Sequence, residues 1–156
     1  MEKIIFGVGV LLIKNKEEVL LVKHGESAEH ITGTYGLPAG RLQENESEIK
    51  AAIREFKEET GLITSQEYLI ELPELYVAKI KRKDGVKTFS LKVYLCNSYS
   101  GELKATDETQ PLWVKIKELD KYNLLPNIKE IVMNGLKKYE HEPAKSSTIS
   151  LKFLGT

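Results

Sequence analysis

The chain has 156 residues, 41% of them hydrophobic, and its 23 Lys plus Arg equal its 23 Asp plus Glu. That is enough chain for one domain with a sizeable core, and the balanced charge provides no overall field to draw it to nucleic acid or an acidic membrane surface. Cys96 is the only cysteine, which excludes an intrachain disulfide and suits a reducing cytoplasm.

Ile4 to Ile13 is rich in Ile, Val and Leu and reads as a central strand, with Gly7 and Gly9 on one face where backbone or ligand can approach closely. Lys3 followed by ten uncharged residues imitates a short signal peptide, but Lys14 to Glu18 reads as a hairpin turn and Val19 to Val22 as the returning strand. No run approaches the ~18 apolar residues that a membrane span requires. Lys23 to Tyr35 is polar and contains glycine, and it reads as a loop of the kind that covers a ligand. His24 and His30 lie in it and read as solvent-facing. No zinc-like spacing joins either to His141.

The next stretch, GRLQENESEIKAAIREFKEETGL from Gly40 to Leu62, carries the strongest signal. Ile49, Ala52, Ile53 and Phe56 fall at i, i+3, i+4 and i+7, the apolar stripe of an amphipathic helix. Ser47 is the expected N-cap, with a capping box from Asn45 to Glu48 as the alternative, and Gly61 is the expected C-terminal stop. Glu55, Glu58 and Glu59 sit at i, i+3 and i+4, so they share about a quadrant of the helix beside the apolar stripe. Like charges at these spacings cost a few tenths of a kcal/mol each, and a face built for stability would interleave lysines. Lys50 and Lys57 project from the other flank instead, and Ala51 leaves room under the carboxylates. Hard divalent cations take such oxygen ligands together with water and phosphate oxygens.

Beyond the helix, Tyr68 to Arg82 and Val86 to Asn97 read as a hairpin turned at Lys83-Asp84-Gly85. Phe89, Leu91, Val93 and Leu95 alternate with Ser90, Lys92, Tyr94 and Cys96, so one face of that sheet is expected to be buried. Lys79, Lys81, Arg82, Lys83 and Lys87 read as a solvated, edge-protecting face ahead of a phosphate- or RNA-binding patch. Ser100-Gly101 turns the chain, Ala105 to Thr109 is a polar loop with Asp107 and Glu108, and Gln110 to Ile116 is a last strand containing Trp113. Lys117 to Tyr122 reads as a helical turn, and Asn127 to Glu140 as an amphipathic helix with Ile128, Ile131, Val132, Leu136 and Tyr139 inward. Residues 1–142 thus form the expected domain. Residues 143–156 are a tail whose alternating Ile149, Leu151 and Phe153 suit an added strand. The element order argues for a mixed sheet covered on both faces.

The stretch from Gly40 to Leu62 resembles the signature of the Nudix (MutT-like) hydrolases, Gly-x5-Glu-x7-Arg-Glu-(apolar)-x-Glu-Glu-x-Gly-(apolar). Gly40, Glu46, Arg54, Glu55, Phe56, Glu58, Glu59, Gly61 and Leu62 fill its nine specified places without an insertion. The resemblance implies an α/β/α sandwich around a curved mixed sheet. It also implies metal-dependent hydrolysis of a nucleoside diphosphate linked to another group, with Mg²⁺ or Mn²⁺ as cofactor, a small nucleotide as substrate, and a monomer or homodimer as the working form. In that pattern Glu55, Glu58 and Glu59 are metal ligands, joined by the backbone carbonyl of Ala39. Arg54 orients Glu55, and Glu46 pairs with Arg54 or assists as base. Glu108 stands where MutT-like members place a further metal-reaching glutamate, with Asp107 as its substitute, or else it is an exposed loop acid. Asn127 stands where they set an amide against a purine edge, or else it caps the helix. A nucleoside triphosphate, an oxidised purine included, is the expected substrate. An ADP-ribose or sugar-nucleotide pyrophosphatase and a non-catalytic binding module are the alternatives, although the latter should have lost carboxylates from the motif and none is missing.

Overall fold

The computed structural model describes residues 3–141. Seven strands form one mixed sheet: β1 (Ile4–Lys14), β2 (Glu18–His24), β3 (Tyr35–Gly36), β4 (Ala39–Arg41), β5 (Leu69–Arg82), β6 (Gly85–Cys96) and β7 (Thr109–Lys115). The helices are α1 (Glu48–Thr60) and α2 (Ile128–His141), with a short 3-10 segment at Ile116–Lys121. The main path runs β3-β2-β1-β6-β5, with β4 on β1 and β7 on β2.

β1 is central because its residues from Gly7 to Ile13 can be buried on both faces. On one edge it runs parallel to β6, from Ile4 opposite Thr88 to Leu12 opposite Cys96. Its other edge is shared between β4, at Gly7 to Gly9, and β2, at Ile13 and Lys14. That division splays β4 from β2 and curves the sheet. The β1–β2 turn places Asn15 and Lys16 at φ 54° and 59°, the pair of positive angles that a type I′ hairpin requires. At the other hairpin Gly85 takes φ 115°, a value costly for any residue with a Cβ.

Side chains alternate along β1, and each set meets its own helix layer. Val8, Val10 and Leu12 pack with Ala51, Ala52 and Phe56 of α1. Leu11 and Ile13 pack with Ile128, Ile131 and Val132 of α2. The fold is therefore an α/β/α sandwich around a curved mixed sheet. Phe56 is fully buried, which contributes about 2–3 kcal/mol of transfer free energy. Ser47 caps α1, its Oγ accepting from the Lys50 N–H at 3.3 Å, and Gly61 ends it at φ 85° with its N–H donating to the Lys57 carbonyl.

Several sequence expectations change in the folded chain. β6 is buried on both faces from Val93 to Cys96 rather than on one, because α1 covers Tyr94 and Cys96 while α2 lies over the opposite face. Ala51 belongs to the α1-side core rather than to open space beneath the carboxylates. Ile53, expected in the buried stripe, is only half-buried, and Thr60 takes the buried place at the helix end, its Oγ1 donating to the Phe56 carbonyl at 2.6 Å. β2 extends through His24, so the following loop is shorter than the interval from Lys23 to Tyr35. The expected tail strand at Ile149, Leu151 and Phe153 lies outside the described residues.

Candidate active site

α1 and β4 meet edge to face at Gly40. A Cβ built there would overlap the Glu55 carboxyl group, so only glycine lets that side chain lie against the strand. One residue away, the Ala39 N–H donates to Glu59 Oε1 at 2.9 Å. The two carboxylates are therefore positioned by backbone: one by a missing side chain, the other by a strand amide.

Arg54 organises the rest. Its Nε donates to Glu46 Oε2 at 2.7 Å and its Nη2 to Glu46 Oε1 at 2.9 Å, a bidentate pair. Nη1 donates to Glu55 Oε2 at 2.8 Å and to Glu58 Oε1 at 3.2 Å, and Nη2 also reaches the Arg41 carbonyl at 3.0 Å. The like-charge crowding expected from the sequence is thus relieved by one guanidinium on the same helix, with no interleaved lysine. Glu46, held by Arg54 and by the Gln43 N–H, is kept down to about 2. The opposing carboxylates hold the Arg54 guanidinium above its usual range.

Glu55 and Glu59 behave differently from Glu46. Burial raises the pKa of Glu55 against the opposing pull of Arg54. Burial raises Glu59 to about 8; the Ala39 amide resists, and the charges of Glu55, Glu108 and Glu58 add to the rise. A part-buried carboxylate with too little local positive charge suits a divalent cation, which would supply the missing charge. The donor set is all oxygen, as Mg²⁺ or Mn²⁺ prefer, so the residues present fit such an ion. Among the described residues, no three His, Cys, Asp or Glu side chains stand close enough to form a finished cage. An Mg²⁺ site completed by water and substrate phosphate does not need one.

These groups open into a cavity of about 650 Å³ lined by Ala39, Arg54, Glu55, Glu59, Glu108 and Asn127. Six of the residues singled out in the sequence are thereby brought together. Glu46 and Glu58 are not in its lining; they join the site through Arg54, and the Glu58 side chain is 55% exposed at the rim. Glu108 is placed by its own N–H on Thr106 Oγ1 at 3.1 Å and by its carbonyl, which accepts from the Gly25 N–H at 2.8 Å. Asn127 takes φ 71°, and its Nδ2 donates to the Val77 carbonyl of β5 at 3.4 Å. The amide thus ties the start of α2 to the cavity wall.

The remaining wall is apolar, including Ala78, Ile80, Phe89 and Leu91, and it holds three residues that sequence reasoning read as solvated. His24 is 5% exposed, with its Nδ1 3.0 Å from the Thr34 carbonyl. Burial depresses the pKa of both histidines, that of His30 to about 4, so each is neutral near pH 7. Arg82 is 6% exposed, not part of a solvated lysine face, because it folds back over the Phe89 ring at 5.2 Å and pairs with Glu29. No local signal marked it, since it stands among Lys79, Lys81, Lys83 and Lys87.

The NUDIX domain family profile matches residues 3–134, and the chain belongs to the Nudix hydrolase family. It is 30% identical over 140 residues to a Danio rerio protein named 8-oxo-dGDP phosphatase NUDT18, covering 87% of this chain and 39% of that one. It is 35% identical over 78 residues to Nudix hydrolase 8 of Arabidopsis thaliana, covering 50% of this chain and 21% of that one. The chain spans about two fifths or less of the length of the curated relatives it matches. A MutT protein from Methanosarcina mazei has the same fold, with a TM-score of 0.69 at 20% identity over 91% of this chain and 96% of that one. No helix among the described residues is long and apolar enough to cross a membrane.

Proposed function

We propose that this domain hydrolyses the phosphoanhydride of a nucleoside diphosphate linked to another group, with Mg²⁺ or Mn²⁺. Its preferred substrate is a purine nucleoside triphosphate, an oxidised one included, released as monophosphate and pyrophosphate. The observation that carries this reading is that one cavity joins the carboxylate face of α1 to a bay walled by Ala78, Ile80, Phe89 and Leu91 and lined also by the Asn127 amide.

Glu55, Glu58 and Glu59 with the Ala39 backbone carbonyl would hold the ion, and Glu108 would approach from the β7 side. A divalent cation at these groups would supply positive charge against the electrons that gather on phosphate oxygens and would make a water easier for a carboxylate to deprotonate. Arg54 fixes the direction of the Glu55 carboxylate, and Glu46 fixes Arg54. The base is drawn from this same carboxylate group. In the bay, Phe89 and Leu91 offer an apolar surface for a base, and the Asn127 amide offers a donor and an acceptor to a purine edge. Similarity to proteins named 8-oxo-dGDP phosphatase supports an oxidised guanine nucleotide, the diphosphate included.

The test is kcat/KM across nucleoside triphosphates, 8-oxo-guanine di- and triphosphates, ADP-ribose and dinucleoside polyphosphates, with Mg²⁺ present and absent. A purine nucleotide should lead the panel, with release abolished without metal. A clear preference for ADP-ribose would overturn the substrate assignment, and binding without turnover would make this a non-catalytic module.

A further inference from the structure

In the curved sheet β2 and the edge strand β5 are separated by β1 and β6. The loop after β2 crosses β1 and β6 on the cavity face and is fastened to the tip of the β5–β6 hairpin, which closes the bowl of the sheet. Glu29 pairs with Arg82. The Lys83 N–H donates to the Glu29 carbonyl at 3.0 Å, and Lys83 Nζ donates to the carbonyls of Glu26 at 2.7 Å and Gly25 at 3.2 Å. His30 bridges Arg82 through the backbone, and its ring lies 4.6 Å from His24. Ser27 to His30 and Arg82 all line the cavity. This closure leaves His30 Nδ1 and Arg82 Nε buried without hydrogen-bond partners, whereas the Arg54 guanidinium uses every one of its nitrogens. Unmet buried polar atoms weaken the closed arrangement, which the contacts just named hold shut.

We propose that this clasp is a specificity device: Glu29, Arg82 and Lys83 are positioning residues that shut the bowl against groups larger than a nucleoside. The clasp therefore favours nucleoside di- and triphosphates over ADP-ribose and dinucleoside polyphosphates. The inference rests on the nucleotide reading of the cavity. It follows from topology: a ligand extending beyond the base from the carboxylate face would meet the loop between Ser27 and His30. Opening requires separating Glu29 from Arg82 and freeing three carbonyls from Lys83.

The experiment compares wild type with Glu29→Gln and Lys83→Met, none of which alters a residue placed in the metal or base site. Affinities for a purine nucleoside triphosphate, ADP-ribose and diadenosine tetraphosphate are measured by calorimetry with Ca²⁺ in place of Mg²⁺, alongside amide hydrogen exchange over residues 25–34. Both variants should speed exchange in that loop and shift the affinity ratio towards the two larger ligands by about tenfold. With Mg²⁺, the change should appear in KM and not in kcat. Arg82→Met, which removes the buried charge together with its unmet donor, should act in the same direction. Faster exchange with an unchanged affinity ratio would reduce the clasp to a structural tie and overturn the proposal, as would unchanged exchange. Because affinity is read without turnover, absent hydrolysis would sink the catalytic reading alone. A wild type that bound none of the three ligands would sink both.

Discussion

Two arginines stand on opposite terms with the same cavity. Arg54 is shared among Glu46, Glu55 and Glu58 and the Arg41 carbonyl, so its donors are met where charge is densest. Arg82, more deeply buried, has one close carboxylate partner, Glu29, from an exposed position on a loop, and its Nε is unmet. The first arrangement can hold carboxylates steady through a reaction. The second is fastened by a few contacts and can open, so fixed chemistry and adjustable access are built into different walls of one pocket.

The comparison breaks most sharply at the α1 wall. Glu58→Gln should lower kcat by roughly 10²–10³-fold, since it removes charge from the proposed metal face. Stability should stay within about 0.5 kcal/mol, because the Glu58 side chain is 55% exposed and its pair with Arg54 is a rim contact. Steady-state kinetics and thermal melts would check both. Near-normal turnover at saturating Mg²⁺ would remove Glu58 from the metal role. Gly40→Ala should follow, costing about 1 kcal/mol or less and most of the activity, because the new methyl group would displace the flexible end of the Glu55 side chain. Denaturant unfolding reads the first effect and Mg²⁺ titration the second.

How much of this was legible in the sequence depends on how far apart the partners lie along the chain. Glu55, Glu58 and Glu59 share a face by helical period alone, and the glycines at both ends of the motif mark its limits. The Asp84-Gly85 turn and the Asn15-Lys16 turn are likewise local. That the sheet is covered on both faces was legible in the element order, but that β6 itself is buried on both was not, since it depends on α1 returning over a strand that follows it. Nor was the group formed by His24, His30, Arg82 and Phe89, which only the pairing of His30 with Arg82 assembles. Arg82 beside four lysines looks solvated by composition, and only the fold turns it inward.

Smaller effects separate the walls by pH. Glu59 has its pKa raised by burial from 4.5 to about 8, so the folded state keeps a proton that the unfolded chain releases. Its contribution therefore makes the metal-free protein less stable as pH rises from about 4.5 to 8. Glu59→Gln should then stabilise the metal-free protein at pH 8, by on the order of 2 kcal/mol, and lose the stabilisation that Mg²⁺ gives wild type. Melts with EDTA and with Mg²⁺ would show the reversal; the same sign in both would deny Glu59 a metal. His30 has the opposite linkage. Burial lowers it from 6.5 to about 4, so stability is complete above 6.5 and falls as pH drops towards 4. His30→Gln should flatten that limb by about 1 kcal/mol or less, given its partial exposure.

The central claim is that the clustered carboxylates of α1 hold the cation on which phosphoanhydride cleavage depends. Its most direct test is pyrophosphate release from a purine nucleoside triphosphate during Mg²⁺ titration, with wild type and Glu59→Gln side by side. The account predicts no release without metal, saturable release for wild type, and a curve for Glu59→Gln displaced to much higher Mg²⁺ with a lower plateau. Metal-independent release, or coincident curves for the two proteins, would contradict it.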